Sequence, residues 1–260
     1  MSALRSNQRI DLSVVIPAYN ESERIGKTLV SVDAFLKKEP YNYEIIVVDD
    51  GSSDDTVELV HSHASTVNNL KLLQLSPNQG KGWAVRTGML TASGRYRLFM
   101  DADGSTSIRH WPQMRSVLDE GADVVVGSRH VDGSMIRVRQ APHREVLGHA
   151  FRRLVQFLCG LSINDTQNGF KAFTARTAER IFSRQSVSGW AFDVEILTIA
   201  KELGYHAEEI PITWIDDDRS RMRFTAMPRM LTDLLQIRLR TVQPQPAYRL
   251  GETPRLITLS

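Results

Sequence analysis

Short, almost wholly apolar runs recur through the first half of the chain. Between them lie longer stretches where apolar positions return every three or four residues. The short runs are Leu12–Ile16, Glu44–Val48, Leu70–Leu75, Tyr96–Met100 and Asp123–Val126. Runs of this length without polar alternation predict strands buried on both faces, as in a parallel sheet. The intervening pattern predicts helices over about Ser22–Lys38, Asp54–Ser65, Lys81–Ala92 and Ile108–Leu118, each opening after a cap-like Ser, Asp or Asn. Strand–helix units in series predict a doubly wound α/β sheet, whose ligands sit at the carboxyl ends of the strands.

Past Gly127 the pattern changes. Residues 129–153 are polar and basic, with Arg129, Arg137, Arg139, Arg144, Arg152 and Arg153 against Asp132 and Glu145. A helix is expected from about Arg144 to Leu158, strands over 170–174 and 206–213, and helices near 176–183 and 190–203. A last amphipathic helix over about Met227–Arg240 carries Met230, Leu231, Leu234, Leu235 and Ile237. Its stripe reads first as core packing and second as an interfacial membrane segment. Pro244, Pro246 and Pro254 mark a loosely ordered tail over 242–260, which leaves one domain over 1–241.

Composition narrows the class. The 260 residues are 42% hydrophobic and 24% charged, close to the globular average, which argues against disorder. Lys and Arg number 32 against 30 Asp and Glu, too balanced for nucleic-acid binding by bulk charge. Cys159 is the only cysteine, so internal disulfides and cysteine-rich zinc sites are excluded. No apolar run reaches the roughly 18 residues of a membrane span, and Arg9 and Asp11 break up any secretory leader. The expectation is a cytoplasmic domain.

Four polar clusters follow the predicted strands: Pro17-Ala18-Tyr19-Asn20-Glu21, Asp49 to Asp54, Asn78-Gln79-Gly80-Lys81-Gly82 and Asp101-Ala102-Asp103-Gly104. Any one alone reads as an ordinary turn. All four on one sheet edge describe a shared crevice. Asp101 and Asp103, two apart on extended chain, point to one side and suit a hard cation such as Mg²⁺ or Mn²⁺. Gly80-Lys81-Gly82 at a helix start offers N–H groups and a cation to phosphate. It is not a P-loop, because Leu75 stands where that motif needs glycine and Trp83 where it needs a hydroxyl. Asp50 is placed to accept hydrogen bonds from a base or ribose, and Tyr19 to lie beside a base.

VVIPAYNE, VVDDGSSDDT, NQGKGWAVRTG, DADG, DTQNGFKAF and GWAFDVE resemble, in this order, the motifs of glycosyltransferase family 2. The resemblance covers roughly residues 12–240. Within the family it is most similar to the dolichyl- and polyprenyl-phosphate β-glucosyltransferases, with the polyprenyl-phosphate mannosyltransferases next. It implies a GT-A, Rossmann-like fold: a mixed, mostly parallel central sheet flanked by helices. It also implies a nucleotide-sugar donor, a divalent metal and inversion at the anomeric carbon. Carried onto this chain, Pro17, Ala18, Tyr19, Glu21, Asp49 and Asp50 would hold the uridine. Lys81 would serve the nucleotide, Asp101-Ala102-Asp103 would be the metal-binding motif, and Gln167 would complete the metal shell.

Charge distinguishes the acceptors. A hydroxyl acceptor needs a general base, whereas a lipid monophosphate is nearly a dianion at pH 7 and needs cations instead. Arg129, Arg139 and Arg221 are the arginines expected on an acceptor phosphate, from a basic set that also includes Arg137, Arg219 and Arg223. Asp193 is expected to act on the donor sugar, to orient an arginine, or to be the base if the acceptor is a hydroxyl. Asp165 is expected to brace its turn, and Trp83 and Trp190 to pack. The expected partners are a UDP-sugar and a polyprenyl phosphate at the cytoplasmic membrane face, with the chain peripheral there. A GDP-mannose donor, a soluble acceptor or a non-catalytic sugar-nucleotide binder are the rival readings.

Overall fold

The computed structural model describes residues 9–136, 152–215, 227–240 and 255–258. Strand and helix alternate first: β1 (Leu12–Ala18), α1 (Ile25–Leu36), β2 (Tyr43–Asp49), α2 (Thr56–Ser62), β3 (Leu70–Gln74) and α3 (Lys81–Thr91). Next come β4 (Tyr96–Met100), a 3-10 turn at Ile108–His110, α4 (Trp111–Asp119), β5 (Val124–Ser128) and the short β6 (Met135–Ile136). Residues 152–159 are helical (α5). The remainder is β7 (Phe170–Thr174), α6 (Ala175–Phe182), α7 (Phe192–Glu202), β8 (Ala207–Pro211), β9 (Thr213–Trp214), α8 (Met227–Arg240) and β10 (Arg255–Thr258).

Eight strands form one sheet in the order β10-β3-β2-β1-β4-β7-β5-β8, and β6 pairs with β9 beside it. All residues of β1, β2, β4 and β5 are buried, which is why their sequences are continuous apolar runs. The buried Glu44 is satisfied across the sheet: it accepts from Lys71 at 2.6 Å and from Ser13 at 2.5 Å. One core cluster fills each face, with α3, α6, α7 and α8 over one and α1 and α4 over the other.

Strand β7 runs antiparallel between β4 and β5, with Phe170 opposite Met100 and Lys171 opposite both Phe99 and Val126. Its beginning therefore lies at the carboxyl ends of its neighbours, which brings the preceding segment 165–169 to the ligand edge.

Three expectations are corrected. Although Ser107 caps the start of the segment at Ile108 as expected, its Oγ accepting from Arg109 N at 3.3 Å, helices α1, α2 and α3 do not start on side-chain caps. The residue before each is Arg24, Asp55 or Gly80, and none makes a side-chain capping bond. Inter-element contacts stabilise these starts instead, such as Thr56 Oγ1 accepting from Glu21 N at 2.7 Å. The tail holds a strand, because Arg255–Thr258 pairs antiparallel with the free edge of β3, Ile257 opposite Leu72. Finally, the stripe of α8 divides: Met230, Leu234 and Ile237 are buried, whereas Leu231 and Leu235 face outward along with Leu239.

Candidate active site

The floor of the crevice is set by one glycine. Asp101 follows β4 and donates its backbone N–H to the Gly169 carbonyl at 3.1 Å. The Asp101 carboxylate lies directly over Gly169, where an added Cβ would stand 2.2 Å from Oδ2. No side chain larger than hydrogen fits there, so the carboxylate has a fixed seat. Lys81 Nζ meets its other face, 2.7 Å from Oδ1. The same ammonium lies 5.2 Å from the Trp190 ring centroid and 6.0 Å from that of Phe192. Burial alone would lower the Lys81 pKa, but Asp101, Asp193 and Asp103 outweigh it and hold the pKa above the ordinary lysine value.

Asp103 points into the same space, with Oδ1 accepting from Ser105 N at 2.9 Å. Burial, and then the neighbouring charge of Asp101, raises its pKa. Between them, Ala102 is buried and its carbonyl accepts from Thr28 Oγ1 at 2.7 Å.

The glycine loop is not an anion nest. Gly80 N donates to Asp50 Oδ2 and Gln79 N to Asp50 Oδ1, both at 2.8 Å, while Gly82 N donates to the Ser188 carbonyl at 2.8 Å. These glycines are needed for close approach. A Cβ on Gly80 would stand 2.5 Å from Ser188 O, and one on Gly82 2.6 Å from Val187 O. The facing segment is held in turn by Glu195, which accepts from Ser186 N, Ser186 Oγ and Val187 N. Lys81 is the loop's charged contribution to the crevice.

Asp193 pairs with a lysine and not with an arginine. Its carboxylate makes a very short contact with Lys171 Nζ, which also donates to the Asn168 carbonyl at 2.5 Å. The two side chains are 3% and 0% exposed. Burial raises the Asp193 pKa against the opposing charges of Lys171 and Lys81, and burial lowers that of Lys171 against Asp193. Lys171 escaped the sequence reading, although a lysine inside the apolar run FKAF signals a buried partner.

Arg129, just after β5, is clamped. Its Nε and Nη2 donate to Asp165 at 2.8 and 2.9 Å, and its backbone N adds a third bond at 2.8 Å. The guanidinium lies 5.1 Å from the Trp214 ring centroid. Burial would raise Asp165, yet Arg129 overrides it and brings the carboxyl down to about 2. Asp165 thus braces Arg129 as well as its own turn, and 22% of the arginine side chain stays exposed. Arg139 and Arg221 lie outside the described residues, as do Arg137, Arg219 and Arg223.

The first two strand ends form the far wall. Pro17 and Ala18 are buried at the end of β1, and Tyr19 is 42% exposed beside them. Glu21 is gripped by Arg24 through Nε and Nη2, both at 2.7 Å. Asn20 adopts a positive φ of 52°, and its Oδ1 accepts from Ser53 N at 2.7 Å. Asp49 accepts from Ser52 N at 3.2 Å, and burial raises its pKa. Asp50 is raised by burial as well, and both its oxygens are engaged by the 79–80 backbone. Its internal task is therefore to hold the lysine loop, which the sequence reading did not assign to it.

The residues fit a divalent cation of the magnesium class. Such ions take oxygen ligands and bind through one or two carboxylates plus substrate phosphates. Asp101 and Asp103 would supply that pair, and among the described residues no group of three or more acid, His or Cys side chains makes a self-sufficient cage. Gln167 immediately precedes Asn168 and Gly169 beneath Asp101, and its buried Nε2 has no hydrogen-bond partner.

The model of glycosyl transferase family 2 matches residues 13–182. A dolichyl-phosphate β-glucosyltransferase of Dictyostelium discoideum is 38% identical over 89% of this chain and 75% of its own. That of Homo sapiens is 36% identical over 94% of this chain and 79% of its own. Among solved structures, mannosyl-3-phosphoglycerate synthase of Rubrobacter xylanophilus superimposes with a TM-score of 0.67 at 17% identity, covering 94% of this chain and 79% of that one. Glucosyl-3-phosphoglycerate synthase of Mycobacterium tuberculosis, solved with Mn²⁺, UDP and phosphoglyceric acid, gives 0.66 at 20% identity over 96% and 86%. The fold is GT-A. By family match and by identity along nearly its whole length, the chain belongs to glycosyl transferase family 2 and is a glycosyltransferase.

Proposed function

We propose that this glycosyltransferase moves glucose from UDP-glucose to dolichyl or polyprenyl phosphate, with inversion and with the help of Mg²⁺ or Mn²⁺. The observation that carries the reading is the meeting of Asp101 and Lys81 over Gly169 at the carboxyl end of β4, with the half-buried carboxyl of Asp103 two residues on. A diphosphate donor needs cations, and a cation held by two carboxylates needs the diphosphate to complete its shell. The choice of sugar and acceptor follows the relatives of Dictyostelium and human origin, which are dolichyl-phosphate β-glucosyltransferases.

In this reading Pro17, Ala18, Tyr19, Glu21, Asp49 and Asp50 border the uridine. Lys81 serves the diphosphate, and Gln167 stands beside the metal carboxylates. An acceptor phosphate oxygen attacks the anomeric carbon from the face opposite UDP. The bond to the β-phosphate oxygen breaks and its electron pair leaves with UDP. No proton moves, because the attacking oxygen is already anionic. A bound divalent ion would neutralise the charge that gathers on the leaving diphosphate. Arg129, Arg139 and Arg221 offset repulsion between acceptor and donor. The buried pairing of Asp193 with Lys171 supports a baseless mechanism over one using Asp193 as base for a hydroxyl. Its task here is to hold Lys171 and to add negative charge behind Lys81.

No helix among the described residues is long and apolar enough to cross a membrane. The enzyme in this reading works as a peripheral protein at the cytoplasmic face, where the lipid phosphate is displayed. The experiment is transfer from radiolabelled UDP-glucose or GDP-mannose to a short polyprenyl phosphate, with and without Mn²⁺. Metal-dependent, butanol-extractable label from UDP-glucose is expected. Asp103→Ala should lower it by about a hundredfold or more while the circular dichroism spectrum is unchanged. Label from GDP-mannose alone would replace the donor, and no lipid-soluble label from either would overturn the acceptor.

A further inference from the structure

Asp101 is one of the two carboxylates assigned to the metal, yet a cation of the protein already stands on it. Lys81 Nζ sits 2.7 Å from Oδ1. The carboxylate cannot retreat, since Gly169 lies directly beneath it and its own backbone N–H is tied to the Gly169 carbonyl. The lysine can. Its loop backbone is pinned by Asp50 and Ser188, but the side chain is a flexible four-carbon stem, 18% exposed, beside a 35% exposed carboxylate. The Trp190 and Phe192 rings give the ammonium a second resting surface next to Asp101.

Charge decides when the lysine leaves. With every group ionised, Asp101, Asp103 and Asp193 against Lys81 and Lys171 leave the cluster with one net negative charge. A divalent ion alone would reverse that sign and stand against Lys81. A sugar-nucleotide diphosphate alone would add two negative charges beside three carboxylates. Only the two together restore the original charge, with Lys81 free to turn toward the phosphates. We infer that Lys81 is an exchangeable occupant of the metal seat, displaced from Asp101 only when metal and donor diphosphate arrive together. Lys81 therefore couples metal affinity to donor affinity, and the coupling is reciprocal. This inference rests on the metal-and-donor reading given above.

The test is Mn²⁺ binding to the whole protein by electron paramagnetic resonance, with and without UDP, in wild type and Lys81→Met. Wild type should bind Mn²⁺ weakly alone and much more tightly with UDP. Lys81→Met should bind Mn²⁺ alone about tenfold more tightly, because no cation competes for Asp101. It should also lose most of its UDP affinity. Lys81→Gln reads the same equilibrium if the methionine variant does not fold, and Lys81→Arg, which keeps the charge, should restore weak binding of the metal alone. Unchanged or weaker binding of Mn²⁺ alone in the neutral variants, with UDP-linked binding intact in wild type, would overturn the exchange and leave the metal assignment standing. If wild type binds no Mn²⁺ even with UDP, both fall.

Discussion

Lys81–Asp101 and Lys171–Asp193 are the same chemistry in two settings on one sheet edge. The first has side chains 18% and 35% exposed, and the second 0% and 3%. Solvent can replace the partners of the first pair, so each of its members can be lent to a ligand. The second is sealed among Phe99, Asn168 and the start of α7, where losing either charge strands the other. Burial, and not the identity of the partners, separates a pair that can exchange from one that can only hold.

The sharpest way to break this comparison is to delete one partner from the sealed pair. Lys171→Ala leaves an unpaired buried carboxylate and should cost about 3–5 kcal/mol in urea unfolding. Neutralising both sides, as Lys171→Met with Asp193→Asn, should recover most of that loss. A cost below that of an ordinary surface change would show that the pair is not sealed.

A smaller effect comes from a third pair of intermediate exposure, Arg129 with Asp165. The folded Asp165 pKa, about 2, lies below the usual value of 3.8. A depressed carboxyl stabilises the fold above its unfolded pKa and loses that contribution as pH falls through the folded one. Wild type should therefore lose about 2 kcal/mol from this group between roughly pH 4 and pH 2. Asp165→Asn should lack that component of the acid limb when unfolding is followed against pH.

The smallest effect is expected at the exchangeable pair. Lys81→Met should change folding stability by no more than about 1 kcal/mol, despite the larger effect proposed above on metal and nucleotide binding. A cost as large as that of Lys171→Ala would erase the distinction between the two pairs.

The strands were legible because burial on both faces writes itself as uninterrupted apolar residues, and β4 matches its expected span of Tyr96–Met100. The DAD and PAYNE segments were legible because each directly follows an apolar strand, and β1 and β4 lie side by side and parallel, which brings their ends together. Helix starts were legible only in part, since a polar residue before a helix caps it only when its side chain turns back: that of Ser107 does, and that of Asp55 does not. Gly80 and Gly82 were misread because glycine marks close approach of backbone as readily as an anion nest. Sequence shows the missing side chain but not what presses against it, here Ser188 and Val187. The clamp on Arg129 joins residues 36 positions apart, a pairing that no local spacing announces. Strand β10 was hidden because four residues after a proline carry too little pattern to distinguish an edge strand from a tail.

One reversed strand has a consequence for how such a molecule can change. Because β7 runs against β4 and β5, the connection from Arg129 to Gly169 leaves and re-enters the sheet on the same side. Its ends are fixed at the Arg129 clamp and beneath Asp101, and between them β6 pairs with β9 and α5 packs Val155 and Cys159 into the core. Loop length between fixed neighbours costs little, growing only with its logarithm. Added length between these anchored pieces should thus cost the fold little, whereas replacing β6 or α5 should not. An insertion there leaves the antiparallel pairing of β7 with β4 and β5 as it is.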